Sequence, residues 1–361
     1  VHGAAPIVPA ALAVAEREGA SGRAFLLAVA LGYEAALRVG EAVNPSHYRF
    51  FHPTGTAATF GAAAAAGSLL GLDADRMLDA FGTAGTTAAG LWEFNADGAM
   101  SKGLHPGKAA FNGVLAADLA AQGFTGASRI LEGERGFFAA MSDGADHTRI
   151  TDGLGECWKV EENGYKLHAC CGHTHTAIDA ALALRAEVGD PTAITEIRVA
   201  TYGPGWEIVK EANPRTPYAA KFSLAYVVAT ALVEGRVGLE QFSPERFGPE
   251  GVAEPRIAAL LPKVRVTVEP TLTAAYPAAW PARLAIHLAN GRTLAASAAY
   301  PRGHPEVAAP VAELEAKARG LIAPLYGAAF ANRVVAAVWA LRNAEDMGVA
   351  MRDLLPDAGL G

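Results

Sequence analysis

Twelve consecutive residues, Gly164-Tyr165-Lys166-Leu167-His168-Ala169-Cys170-Cys171-Gly172-His173-Thr174-His175, hold one lysine, three histidines and two cysteines. Two other stretches echo them: Phe51-His52-Pro53-Thr54-Gly55 and Ser101-Lys102-Gly103-Leu104-His105-Pro106. All three lead into sequences of helical period. Free backbone N–H groups and the helix dipole there add to the side-chain charge. The chemistry this suits is the binding of an anion and the movement of a proton beside it.

Each residue carries more than one reading. Lys166 in a partly apolar cleft loses pKa and serves as acid or base; left charged, it binds carboxylate; in the open it is a solvated surface lysine. His52 faces a cleft or caps the helix that follows Pro53. Lys102, His105 and Lys108 cluster before another helix, where one of the lysines can equally be solvated. Tyr226, in the run Lys221-Phe222-Ser223-Leu224-Ala225-Tyr226, offers a phenol or fills the core. The Cys170/Cys171/His168/His173/His175 group invites zinc, but zinc sites favour cysteines two to four residues apart with a second ligand pair further along. No such pair exists, so a metal is not expected. The adjacent cysteines read as buried and inert, or as acidified by the next helix.

The elements that must hold these groups fall into two kinds. Pro9 to Glu18, Arg23 to Val43, Thr54 to Leu70, Asp73 to Ala89 and Pro106 to Gln122 repeat apolar residues at helical spacing. Asp73 is placed to cap, and Gly71 and Gly123 to end, their helices. Their many alanines and glycines predict a tight α-bundle. Later, Ile194 to Tyr202 and Val264 to Val268 alternate as half-buried strands do. Arg283 to Leu288 and Arg292 to Ala299 flank Asn290-Gly291, a hairpin signal. Helices at Thr176 to Glu187 and Ala220 to Glu234 are interleaved, Phe242 to Pro255 reads as a surface loop, and helices return at Val311 to Arg319 and Asn332 to Asn343. The predicted fold is mainly α with an inserted α+β lid: residues 1–162 and 303–361 form the helical domain and 163–302 the lid.

The 361 residues are 51% hydrophobic and 19% charged, with formal net charge −7. A core is assured and a nucleic-acid partner is not expected, for no basic run is present. Three cysteines, two adjacent, argue for a reducing cytoplasm rather than a disulfide framework. No signal peptide is visible, and the apolar stretch Ala57 to Leu72 is too short to span a bilayer, so no membrane role is expected.

The blocks His2-Gly3-Ala4-Ala5-Pro6, Phe51 to Gly55, Asp97 to Gly107, Gly133-Glu134-Arg135-Gly136-Phe137-Phe138, Tyr165-Lys166 with His173-Thr174-His175, and Lys221 to Tyr226 occur in one order. That order resembles the MmgE/PrpD family across essentially the whole chain. The resemblance implies a large helical domain with a smaller α+β lid, usually in a homodimer, and no required cofactor. It also implies a cleft between the domains that binds small di- or tricarboxylates. Carried over by motif, the catalytic positions fall on His2, His52, Lys102, Lys166 and Tyr226; Thr54, His105, His173 and Lys221, in the same blocks, are expected to bind substrate. Members carry a further helical segment ahead of the His2 block, so the helical domain is expected here without that part. The first expectation is a dehydratase of a citrate-like hydroxy acid, similar to 2-methylcitrate dehydratase. In it His52 or Lys166 is the base, while His2, Lys102 and Tyr226 orient carboxylates and protonate the leaving hydroxyl. The same residue types serve an iminodisuccinate-like epimerase, a cis-aconitate-type decarboxylase, or a member that binds polycarboxylate without turnover.

Overall fold

The structure, a computed structural model, describes residues 1–352 and 354–355. Two compact units divide the chain. The first holds residues 1–94, 99–162 and 318 onward, the second residues 95–98 and 163–317. The chain returns to the first unit within the Val311–Tyr326 helix.

The first unit is built around the Ala57–Leu69 helix. Every residue from Ala57 to Gly67 is buried, so no polar face is needed. The helices Ala4–Arg17, Gly22–Val43 and Leu104–Ala121 pack against it, and Ala74–Thr87 packs on two of these elements. Small residues permit the close approach. A Cβ on Gly61 would stand 2.5 Å from the Gly32 carbonyl oxygen, and one on Gly113 would stand 2.4 Å from the Ala62 Cβ. The Asp73 side chain accepts from the Arg76 N–H at 2.9 Å, capping as expected. The helix carrying His105 begins earlier than the sequence suggests. It runs Leu104–Ala121 after a Met100–Gly103 3₁₀ turn, so His105 and Lys108 lie in its first turns and not ahead of it.

One buried ion pair ties the long connection after residue 141 to this bundle. Arg38 Nε donates to Glu34 at 2.5 Å, with both side chains nearly inaccessible. The guanidinium also donates to the carbonyls of Arg149 and Asp152, and the second Glu34 oxygen accepts from the Lys159 N–H at 2.8 Å.

The second unit has a four-stranded mixed sheet. Ile194–Thr201 pairs in parallel with Val264–Val268 and antiparallel with Ala282–Leu288, which pairs antiparallel with Thr293–Ala298. Ala282, Leu284, Ile286 and Leu288 are buried alternately, and the His175–Val188 helix packs on this strand and its neighbour. The hairpin turns at Gly291, whose φ is +84°. Two elements depart from expectation. The helix foreseen over residues 220–234 is broken into Pro217–Ala220 and Leu224–Glu234, because Thr216 caps the first piece and Ser223, in extended conformation, caps the second. The stretch foreseen as a loop from Phe242 contains a short antiparallel pair, Phe247–Gly248 with Gly251–Val252, and Phe242 itself is buried.

Among the described residues no helix is long and apolar enough to cross a membrane.

Replacing Glu34 by alanine strands the Arg38 charge in the interior. Chemical denaturation should record a loss of about 3–5 kcal/mol. Glu132→Ala, which removes an exposed partner of Arg129, should cost less than about 1 kcal/mol. Similar losses for the two variants would contradict this reading of the pair.

Candidate active site

In the first unit a corner brings two distant strips of chain side by side. His52 N–H donates to the Gly90 carbonyl at 2.9 Å, Trp92 N–H to Phe50 at 3.1 Å, and the Trp92 indole to the Phe51 carbonyl at 2.8 Å. Gly90 takes φ +153°, and a Cβ there would lie 3.3 Å from His105 Nδ1. A Cβ on Gly55 would lie 2.6 Å from the Ala89 carbonyl oxygen. Both glycines are thus needed where the two strips meet.

This corner seats three imidazoles. His52, 2% exposed, has its Nδ1 3.0 Å from Nδ1 of His105. Two ring nitrogens at that distance share one proton, with one donating and the other accepting. The His2 ring lies 5.7 Å from that of His52. The buried Thr54 hydroxyl sits 3.0 Å from both the backbone nitrogen and Nδ1 of His2. Trp92 and Phe94 pack on His52, and Phe94 also on His105, giving the pair an apolar wall. His105 is pushed below the ordinary histidine range by burial, then by the positive charges of Lys108 and Lys102. Lys108 is itself lowered by burial, and its ammonium donates to the Thr87 carbonyl at 2.9 Å. Behind the corner, buried His47 bonds the Met141 carbonyl and the Thr56 hydroxyl, each at 2.8 Å, and burial lowers its pKa as well.

So the structure brings together His2, His52, Thr54 and His105 from the residues expected by sequence, with Lys102 near enough to act on His105. Sequence reasoning missed His47 and Trp92. Their only signal was aromatic company around two motif blocks.

The second unit holds the remaining expected residues in three separate settings. Lys221 is close enough to Lys166 to feel its positive charge, and the Cys171 N–H donates to the Lys221 carbonyl at 3.0 Å. Lys221 occupies the break between two helices, half-buried beside the rings of Tyr218 and Phe242 and lowered by burial. His173 is buried in an aromatic nest, its Nδ1 2.6 Å from the Tyr202 hydroxyl and its ring stacked on Trp280 at 4.6 Å. Tyr226 is a core residue. It is fully buried, its hydroxyl donates to the Gln241 carbonyl, and burial pushes it up to about 12. In this structure the phenol therefore meets the protein interior, in the second of the two settings the sequence allowed.

Nor is Cys170 acidified: burial pushes its thiol up to about 12. The three cysteines are free thiols, and among the described residues no three His, Cys, Asp or Glu side chains converge as a metal would need. His168 is instead tied to Asp179 at 2.9 Å. A cavity of about 630 Å³ opens elsewhere in this unit, lined by Asp97, Glu207, Lys210, Glu211 and Arg215 among others, and none of the expected catalytic residues lines it.

Residues 1–150 match the MmgE/PrpD N-terminal domain, and residues 168–341 match the MmgE/PrpD C-terminal domain. The chain belongs to the MmgE/PrpD family. Among its relatives is the cis-aconitate decarboxylase-like protein oryM of Aspergillus oryzae, 32% identical over an alignment of 279 residues that covers 70% of this chain and 57% of that protein. The cis-aconitate decarboxylase of Aspergillus terreus is 31% identical over 271 residues, 67% of this chain and 54% of that one. The Homo sapiens cis-aconitate decarboxylase is 27% identical over 282 residues, 74% and 57% of the two chains. This MmgE/PrpD chain spans about half the length of the curated relatives it matches.

Buried histidines with lowered pKa make stability depend on pH. His47, His105 and His175 all fall below the ordinary value of 6.5, chiefly through burial. Above 6.5 neither folded nor unfolded chain protonates them, and their contribution is intact. As pH falls below 6.5 the unfolded chain takes up protons that the folded chain refuses, so stability drops. Thermal melts at pH 7.0, 6.0 and 5.5 should show the midpoint falling, by ~2–4 °C for each ~1 kcal/mol lost. A flat profile would contradict the burial of these rings.

Proposed function

We propose that this protein is a carboxy-lyase acting on cis-aconitate or a close tricarboxylate analogue. The observation that carries the reading is the His52–His105 pair, one proton between two Nδ1 atoms, with His2, Lys102 and Lys108 close by. The cis-aconitate decarboxylase names of several relatives favour loss of carbon dioxide over loss of water.

The chemistry asks for little else. The bond from a CH₂ carbon to its carboxylate breaks and carbon dioxide leaves. The freed electron pair becomes a new double bond, and the old alkene pair moves one carbon along, where it takes up one proton. In this reading the His52–His105 pair delivers that proton, since burial and the nearby lysines disfavour charge on His105 and its partner is hydrogen-bonded to it. A positioned acid of this kind is worth ~10²–10⁴-fold in rate. His2, oriented by Thr54, and Lys102 are the groups of the first unit that hold carboxylate; Lys166 and Lys221 are a separate set of carboxylate-binding candidates within the second. Cationic donors stabilise the charge that develops as the bond breaks. His173 and Tyr226 support their own surroundings.

The test is carbon-13 NMR of labelled cis-aconitate with the purified full chain. Released carbon dioxide is the expected result, with His52→Gln slower by ~10²–10⁴-fold. Full activity in His52→Gln would remove that residue from the mechanism. Alkene absorbance from 2-methylcitrate without carbon dioxide release would make the protein a hydro-lyase. Deuterium wash-in alone would make it an epimerase.

A further inference from the structure

Three lysines of the second unit lie together with no acid among them. Lys166 stands in the segment leading to Cys170 and Cys171, Lys221 in the break between two helices, and Lys317 in the Val311–Tyr326 helix. Lys317 Nζ donates to the Lys166 carbonyl, and the chain beside Lys166 is bonded to Lys221 through the Cys171 N–H. All three side chains are partly buried. Lys221 and Lys317 each feel the positive charge of Lys166, and no carboxylate offsets it for either.

Nearby acids are engaged elsewhere. Asp179 is bound by His168 and by the Arg302 N–H, and both oxygens of Glu313 are held by Arg302. Among the described residues none of the three lysines has an ion-pair partner. Like charges held together and half-withdrawn from water are unfavourable until an anion joins them. An ammonium has three donors. Lys317 uses one on the Lys166 carbonyl, which leaves two for a ligand.

We propose that Lys166, Lys221 and Lys317 form one polycarboxylate-binding site, and that Lys317 makes it select ligands with several carboxylates. The proposal rests on the tricarboxylate reading above and adds a residue that the motif blocks do not contain. Three ammonium groups outmatch a single carboxylate, whereas a ligand with several carboxylates comes closer to balancing them.

Isothermal titration of the full chain with citrate, glutarate and acetate tests it. Wild type should bind citrate most tightly and acetate least. Lys317→Met should weaken citrate about tenfold or more and glutarate clearly less, while Lys317→Arg should recover most of the citrate affinity. Circular dichroism melts show whether each variant is folded. Unchanged citrate affinity in Lys317→Met would overturn the role of Lys317 while leaving the tricarboxylate reading in place. An equal loss for citrate and glutarate would mark Lys317 as merely structural and overturn its selectivity. A wild type that binds none of the three would sink the tricarboxylate reading and this site with it.

Discussion

Everything in the helical unit turns on burying a helix with almost no side chains. Ala57–Leu69 gains little from any one residue, so its stability comes from neighbours pressed against it on every side. Gly32, Gly61 and Gly113 set how near those neighbours come, at distances a single methyl group would violate. The turn carrying His52 and Thr54 enters this helix directly. Its position is therefore inherited from the packing of the bundle, and the imidazoles gain fixed geometry without lying on a rigid element themselves.

The same logic runs through the α+β unit by other means. There the critical feature is an interruption. Thr216 and Ser223 cap two successive helices, and the three residues between them lift Lys221 out of helical register toward the Lys166–Cys171 segment. A continuous helix would have placed Lys221 by helical period alone. The aromatic nest of His173, Tyr202, Tyr276 and Trp280 fills the space beyond, and its stacked rings give that part of the unit a stiff interior.

Much of this was legible in the sequence, and what escaped had a common cause. Helical period located the bundle, Asp73 marked a helix start, and Asn290-Gly291 marked the hairpin. Motif blocks singled out His2, His52 and His105 separately. Their meeting was not legible, because it depends on the Gly90 corner and on a helix that starts at Leu104 rather than at Pro106. The burial of Tyr226 escaped for the same reason. An aromatic at helical spacing reads alike whether its hydroxyl meets a ligand or the Gln241 carbonyl. Lys317 was invisible among solvated lysines until the fold set it against a carbonyl 151 residues away in sequence.

The contact between His52 and His105 carries one more consequence. Whenever both rings are neutral, the ring that donates through Nδ1 has a bare outer nitrogen, and the ring that accepts bears its hydrogen on the outer one. The pair thus has a polarity. When a proton leaves from one end, another enters at the far end and the central hydrogen crosses over, so the arrow points the opposite way afterwards. Such a relay cannot fire twice in the same direction without first being turned back.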